Sequence, residues 1–309
     1  MKTTTALKAS VIIILILVLS SKIKVNAQYD AMFTQYANNE MFINPAFTGT
    51  KEALSITALH RQQWVGFDGR PITTTLSIHS PIWENKMGLG LSVLNEEIGV
   101  ATRNIIYLNY SYRIKTGKKS YLGFGLSGGI HIQRVDFGKV ETDITNDPNY
   151  KETLHANTPN FGFGINYYTD KFFAGISIPR LLDDNYSMKA SFKAKSFHYY
   201  IVVGGIIGVA KDFKLKPSLM VQAVANAPIK FDLTLNSLIK EKLWLGVSYR
   251  NSNDISAIVG LQISPRFLVS YSYDFCTSKL KTFNSGSHEL VLSALFGYKG
   301  RKIVSTRYF

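Results

Sequence analysis

The chain has 309 residues, of which 46% are hydrophobic, 13% aromatic and 18% charged, and its formal net charge is +14. This amount of apolar side-chain surface excludes a disordered chain, because there is ample material to bury. A basic balance suggests nucleic-acid binding, but the sequence has no basic binding motif and no zinc-ligand spacing, and it begins like an exported protein. We therefore expect no nucleic-acid partner. The single cysteine, Cys276, excludes an intramolecular disulfide.

The N-terminus predicts a cleaved secretory signal peptide over residues 1–27. A basic start is followed by the apolar run Val11–Leu19, and Val25-Asn26-Ala27 fits the small-residue cleavage pattern. The apolar run is well short of the about 20 residues of a membrane-spanning helix. Residues 28–53 are polar and aromatic and contain turn signals such as Asn44-Pro45. We expect them to form an ordered N-terminal arm on the periplasmic side.

Fourteen strand-like runs follow the arm. Side chains of a strand point alternately to its two faces, and many of these runs alternate apolar residues with small or polar ones. Tyr121–Gln133 is the clearest, since one parity is apolar and the other is mostly glycine or polar. Its length exceeds the about 9–11 tilted residues that cross a bilayer. The runs are Leu54–Gln62, Thr73–Ser80, Met87–Asn95, Asn104–Ile114, Tyr121–Gln133, Asn160–Tyr168, Phe172–Ile178, His198–Val209, Leu215–Ala225, Lys230–Leu238, Lys242–Arg250, Ser256–Ile263, Phe267–Phe275 and His288–Phe296.

The connections between these runs alternate in length. With the N-terminus in the periplasm, the long polar connections lie outside the cell and the tight turns inside, which is the asymmetry of outer-membrane barrels. An apolar face in lipid also requires that no strand edge be left unpaired. We therefore predict an all-β fold, a transmembrane outer-membrane β-barrel of about 14 antiparallel strands over residues 54–298, with a basic tail over residues 299–309. The long connections include Val135–Pro159, Pro179–Phe197 and Cys276–Ser287.

Sequence motifs for catalysis conflict with this strand pattern. Gly123–Gly128 matches G-x-G-x-x-G and Gly125–Gly129 matches G-x-S-x-G, but both motifs need a helix to begin there, whereas the alternation continues to Gln133. None of the six histidines has a partner at metal-ligand spacing. Neighbours in Ser287-His288-Glu289 point to opposite faces of a strand and cannot form a triad. We expect no cofactor, no metal and no catalytic site.

Several local strings in a fixed order resemble one family. In the first part of the mature chain they are Gln28-Tyr29-Asp30, Phe33-Thr34-Gln35-Tyr36, Asn44-Pro45-Ala46-Phe47-Thr48-Gly49 and Arg61-Gln62-Gln63-Trp64-Val65-Gly66. Towards the end they are Tyr271-Ser272-Tyr273-Asp274, Gly286-Ser287-His288-Glu289 and Ile303-Val304-Ser305-Thr306-Arg307-Tyr308-Phe309. Together they resemble the PorP/SprF family of outer-membrane proteins of the type IX secretion system, from the signal to the last residue.

The resemblance implies a location in the outer membrane of a Gram-negative bacterium. The implied partners are the lipid bilayer, the type IX secretion components, and a large secreted surface protein or its C-terminal domain. The implied function is that of a noncatalytic barrel supporting export or surface anchoring of a secreted protein or adhesin, linked in some bacteria to gliding motility. The residues alone indicate only export, a barrel and long outside loops. A diffusion channel is the alternative function, and a barrel hydrolase using His131 and His288 is a third.

The family-motif residues are the candidate partner contacts, and each has a competing structural interpretation. Arg61 and Trp64 lie at the outer end of the first strand, where Arg61 could pair with a lumenal carboxylate and Trp64 could anchor at the membrane interface. The start of the last strand could instead fix the register with which the ring closes. The aromatic chain end is either a barrel-assembly signal or a contact for a periplasmic partner. The full set is Asn44, Pro45, Arg61, Gln63, Trp64, Gly66, Pro71, Gly286, His288, Glu289, Arg307, Tyr308 and Phe309.

Overall fold

The computed structural model describes residues 31–140, 153–182, 197–224, 227–252 and 254–297. Within these ranges one antiparallel sheet contains fifteen strands, and short helical turns precede the first. The turns are Tyr36–Asn38, Glu40–Ile43 and Pro45–Phe47. The strands are β1 (Leu54–Gln62), β2 (Ile72–Ile82), β3 (Met87–Ile98), β4 (Ala101–Lys115), β5 (Ser120–Asp136), β6 (Thr153–Thr169), β7 (Phe172–Ile178), β8 (His198–Gly205), β9 (Ile207–Ala210), β10 (Phe213–Val224), β11 (Lys230–Ile239), β12 (Leu243–Arg250), β13 (Asp254–Ser264), β14 (Phe267–Cys276) and β15 (Ser287–Phe296). Two further turns are Phe137–Lys139 and Lys279–Phe283.

The sheet closes on itself into a barrel. The first strand pairs with the last, in a register that runs from Leu54 opposite Phe296 to Gln62 opposite His288. Strand β10 pairs with β11 along one edge and with β8 and then β9 along the other. Strands β8 and β9 are therefore two parts of one position in the ring, interrupted at Ile206. The barrel has fourteen strand positions, which confirms the predicted architecture.

Burial in the barrel is inverted relative to a soluble protein. In β4 the aliphatic side chains of Ile106 and Leu108 are exposed on the outer face, while Asn109 and Ser111 are buried on the inner face. The outer face is the one that lipid contacts, and a closed ring of hydrogen-bonded strands satisfies its backbone without water. The alternation that predicted the strands thus marks lipid on one side and a polar interior on the other.

The longest predicted loop was placed too broadly. Strands β5 and β6 continue pairing past the expected ends, so that Asp136 lies opposite Thr153, and the predicted loop includes strand at Val135–Asp136 and at Thr153–Pro159. These outer ends have polar residues on both faces, so the apolar alternation that marks a membrane strand is lost there while the hydrogen-bonded ladder continues. The tight turns at the other end agree with the prediction. Much of the predicted loop Pro179–Phe197 lies outside the described residues.

The N-terminal arm lies inside the barrel, and its predicted placement on the periplasmic side is wrong for the part that the structure describes. Residues 31–53, here called the plug, are largely buried and contact the inner wall in several directions. Thr34 bonds to β15, Tyr36 to β10, and Phe47 packs edge-to-face on Phe173 of β7 with ring centroids 6.1 Å apart. A turn-rich segment has no periodicity that would have assigned it to an interior.

The two ends of the chain fall outside this description. The predicted signal peptide, residues 1–27, and the predicted basic tail, residues 299–309, lie outside the described residues. Within the ranges that the structure does describe, no helix is long and apolar enough to cross a membrane.

Candidate functional site

The plug turns sharply at Asn44, and its amide binds both the plug and the wall. The Asn44 side-chain oxygen accepts the backbone N–H of Ala46 at 2.9 Å and so begins the turn that Pro45 continues. Its Nδ2 donates to the backbone oxygens of Ile165 in β6 and Ile176 in β7, at 3.0 and 3.3 Å. The amide therefore joins the plug to two neighbouring strands.

Glycines on the inner wall make room for this turn. A Cβ added at Gly125 would overlap the backbone of Ala46, and one at Gly164 would overlap the Asn44 amide. At Gly88, in β3, it would overlap the backbone oxygen of Thr48. The glycine-rich inner face seen in the sequence is thus a surface that another backbone approaches closely, which is a recognised reason for glycine in a strand.

Polar side chains of the wall satisfy the plug backbone. Ser177 Oγ donates to the Ile43 oxygen at 2.6 Å, and Asn166 Nδ2 donates to the Ala46 oxygen at 3.1 Å. Ser111 Oγ donates to the Thr48 oxygen at 2.6 Å. Irregular backbone at membrane depth is tolerated where protein groups satisfy its hydrogen bonds. These contacts meet that requirement without regular secondary structure in the plug.

Gly49 of the plug is hydrogen-bonded to two basic side chains of the wall. Its backbone oxygen accepts a hydrogen bond from Arg113 Nη1 at 2.9 Å, and its N–H donates to His79 Nδ1 at 2.9 Å. His79 Nδ1 is therefore an acceptor here, which requires the unprotonated nitrogen. Both wall residues act on the backbone of the plug, so their interactions do not depend on the plug side chain at this position.

A buried charge cluster holds the first part of the plug. Arg61 of β1 pairs through Nη2 with Asp274 of β14 at 2.6 Å and through Nη1 with Glu289 of β15 at 3.1 Å. Glu289 accepts the backbone N–H groups of Thr34 and Gln35 at 2.9 and 2.7 Å. The Thr34 hydroxyl lies 2.8 Å from Asp274 and 3.1 Å from Arg61 Nη1. The predicted pairing of Arg61 with a lumenal carboxylate is confirmed.

A second buried pair lies beside the first. Arg250 Nε in β12 donates to Asp232 Oδ1 in β11 at 2.6 Å, and Arg250 Nη2 donates to the backbone oxygen of Phe33 at 3.2 Å. Each cluster thus combines charges of the wall with backbone groups of the plug. Removing one partner from a buried pair typically costs about 3–5 kcal/mol, because it leaves a buried charge uncompensated. The plug and the wall charges stabilise each other.

Tyr36 is the most deeply buried aromatic of the plug. Its hydroxyl lies 2.8 Å from Ser218 Oγ, and 1% of the residue is exposed. Burial raises the pKa of Tyr36 to about 12, with the hydrogen bond to Ser218 opposing the rise. The phenol is therefore neutral at physiological pH and adds no charge to the interior. Burial likewise raises the pKa of the Glu40 carboxyl, against the lowering effect of Lys216 and Lys51.

The predicted rim residues join two outer loops into a small ladder. Val65 N–H donates to the Gly286 oxygen at 2.8 Å, and Ser285 N–H donates to the Val65 oxygen at 2.7 Å. Trp64 N–H donates to Ser287 Oγ at 3.1 Å, and Gln63 N–H donates to the Pro71 oxygen at 2.9 Å inside its own loop. The backbone has positive φ at three of these positions, which suits the two glycines among them. They are Trp64 (54°), Gly66 (92°) and Gly286 (87°).

His288 and Glu289 point to opposite faces of β15, as strand geometry requires. Glu289 is buried in the lumen, whereas His288 lies on the outer face with Nδ1 2.5 Å from the Tyr271 hydroxyl. Among the described residues, no three His, Cys, Asp or Glu side chains come together in a group that could hold a metal ion. Three predicted contacts, Arg307, Tyr308 and Phe309, lie outside the described residues.

Most of the wall residues that hold the plug were not predicted from the sequence. Asp274, Arg250 and Asp232 were available as a signal, because each is a charged residue on the inward parity of a membrane strand. Charges in that position are costly and mark functional interiors. Their convergence on the plug could not be read from the sequence, because it depends on the ring closing with β15 beside β1 and β14 next to β15.

These features define a class: an outer-membrane β-barrel whose lumen is occupied by its own N-terminal segment. The chain belongs to the PorP/SprF family, since the family model described as type IX secretion system membrane protein PorP/SprF matches residues 25–294. The resemblance stated from the local strings is confirmed. Membership places the barrel in the Gram-negative outer membrane, as a protein of the type IX secretion system.

Solved outer-membrane barrels share the fold at low identity. The toluene transporter TodX of Pseudomonas putida matches with a TM-score of 0.50 at 6% identity, over 88% of this chain and 99% of that one. A deltaS2 mutant of the monoaromatic hydrocarbon channel TodX matches with a TM-score of 0.51 at 8% identity, over 85% and 95%. These likenesses concern the fold alone. Among curated proteins no sequence matches this chain.

Proposed function

We propose that this barrel is a noncatalytic partner protein of type IX secretion, which supports the export or surface anchoring of one large secreted surface protein or adhesin. The observation that carries the proposal is the buried plug. A lumen occupied by residues 31–53 and tied to the wall through Arg61, Asp274 and Glu289 favours a scaffold over a diffusion path. The functional surfaces of a filled barrel are then those that face other proteins.

The outer rim is the surface that we assign to the secreted partner. The loops that contain Gln63, Trp64, Gly66 and Pro71 on one side and Gly286 on the other are joined by backbone bonds, so the rim has a fixed shape. Two aromatic side chains stand out from it, Phe67 at 45% and Phe283 at 68% exposure. Exposed aromatic groups beyond the lipid band suit a protein partner, because aromatic residues are enriched at interfaces.

Co-purification from outer membranes tests this assignment. The double variant Phe67→Ser/Phe283→Ser is expected to lose the secreted partner, while Trp83→Ser serves as a matched control at the opposite end of the barrel, with 70% of Trp83 exposed. Deletion of the gene is expected to stop export or anchoring of that one protein. Unchanged export of every type IX client would contradict the proposal.

Planar-bilayer recording separates this function from that of a channel. We expect the purified barrel to carry little steady current. A steady open-channel current from the native protein would favour diffusion and overturn the scaffold proposal.

A further inference from the structure

A lumenal cavity of about 90 Å³ lies between the plug and strands β10 to β15. Its lining includes Tyr36, Ala37 and Lys51 from the plug and Lys216, Asn236 and Arg266 from the wall. Arg266 is exposed in the turn between β13 and β14, so the cavity reaches towards the short-turn end of the barrel. At roughly 15 Å³ for each water-sized sphere, this volume accommodates about six waters or one small polyatomic ligand.

The cavity lining is basic. It includes Lys51, Lys216 and Arg266, and the described side chains that line the cavity include no carboxylate. Burial lowers the pKa of Lys51, and a bound anion favours its charged form. Glu40, which is outside the lining, acts electrostatically on both Lys51 and Lys216. The Lys216 ammonium also lies 5.7 Å from the centroid of the Phe173 ring. Charges removed from water need compensation of the opposite sign, and the need is greatest in a low-dielectric interior.

We propose that this cavity binds a small oxyanion, such as phosphate or a carboxylate. Three basic side chains and the Asn236 amide line the cavity, and hydrogen bonds from cations to oxyanions are the strong, charge-assisted kind. The bound anion bridges Lys51 of the plug and Lys216 of the wall. It therefore adds a non-covalent link between the two parts, in a cavity whose lining also includes Thr34 and Gln35 of the Arg61 cluster.

Titration of the full-length protein in detergent tests the site. Sodium phosphate and sodium acetate are added at constant ionic strength against sodium chloride, with binding followed by calorimetry and the unfolding temperature followed in parallel. We expect at least one of the two oxyanions to bind and to raise the unfolding temperature more than chloride does. Lys51→Gln and Lys216→Gln are each expected to weaken binding about tenfold, since each removes one charged donor.

The chain offers a matched control on the same strand. Lys214 lies two residues before Lys216 on the same face of β10, and its charge is paired with Glu241 at the rim. Lys214→Gln is expected to bind the anion like the native protein. Because Lys216→Gln leaves Glu40 buried and could unfold the barrel, the double variant Glu40→Gln/Lys216→Gln keeps the local charge balance and must bind about tenfold more weakly than Glu40→Gln alone.

A further variant should strengthen anion binding instead of weakening it. Glu40→Gln removes the carboxylate that competes for the two ammonium groups, so we expect binding to become several-fold tighter, which a purely structural role of these lysines would not produce. The proposal is overturned if phosphate and acetate both act like chloride. It is equally overturned if Lys51→Gln binds like the native protein and the double variant binds like Glu40→Gln.

Discussion

Arg61 and Glu289 lie opposite each other in the register that joins the first strand to the last, and their side chains form a buried ion pair of 3.1 Å inside the lumen. The same Glu289 carboxylate accepts two backbone N–H groups of the plug, at Thr34 and Gln35. The junction that closes the barrel is thus also the anchor of the segment within it.

Replacing Glu289 with Gln should therefore destabilise the barrel strongly. The substitution keeps the shape but leaves the Arg61 charge facing Asp274 alone, and we expect a loss of about 3 kcal/mol or more in the free energy of unfolding. Denaturant titration followed by heat-modifiable gel mobility measures it. Glu84→Gln is the control, because Glu84 is exposed in a short turn and should change stability little. Equal stability of the two variants would contradict the anchoring role.

Replacing Gly125 with Ala should displace the plug. The new Cβ would overlap the backbone of Ala46, whereas the Cβ of Gly128→Ala on the same strand would meet only the ring of Phe161 at an ordinary 3.6 Å. We expect about 1–3 kcal/mol of destabilisation for the first change and little for the second. Limited proteolysis of the plug in detergent reports the displacement. Equal protection of both variants would argue against close packing at Gly125.

Removing the plug should convert the barrel into a conducting pore. The inner wall is lined by small polar side chains such as Ser111, Asn109 and Thr158, which water can solvate. We expect the variant lacking residues 31–49 to carry a steady current in planar bilayers that the native protein lacks. Heat-modifiable mobility confirms that the ring still forms. If the folded variant conducts no more than the native protein, the plug is not what blocks the conducting path through the lumen.

Tyr36 predicts a loss of stability in alkali. The folded-state pKa of about 12 is above the ordinary 10, so between these values the folded chain keeps a proton that the unfolded chain has lost. Stability from this group is constant below pH 10 and falls by roughly 1.4 kcal/mol per pH unit as the pH rises towards 12. Unfolding of the native protein and Tyr36→Phe is compared from pH 9 to 11.5. The difference between them should shrink or reverse as the pH rises, and a constant difference would contradict the prediction.

The strands were predictable because lipid imposes a two-residue period on the sequence. The predicted bounds of β1 and β7 agree with the structure, and the other strands differ mainly at their ends. The outer parts of β5 and β6 were not predicted as strand, because beyond the bilayer no apolar face marks the strand. The ends of the apolar pattern therefore report the membrane boundary, and the hydrogen-bonded ladder can continue past it.

The plug was not predictable, because its position depends on contacts distant in sequence. Asn44-Pro45 correctly indicated a turn, yet the partners of that turn are Gly125 and Gly164, far along the chain. The glycine-rich parity of Tyr121–Gln133 was visible in the sequence, but the sequence does not state what approaches it. Arg61 was the one wall residue for which inward pairing was anticipated. The structure shows that its partners are the carboxylates of Asp274 and Glu289.

Because Arg61 and Glu289 serve the seam and the plug with the same atoms, closing the ring and seating its occupant reinforce each other. A nascent barrel with its N-terminal segment misplaced would keep the Arg61 pairs but lose the two backbone N–H donors of Thr34 and Gln35 to Glu289, at the point where its first and last strands meet. An empty cylinder would therefore close with a weaker junction than a filled one.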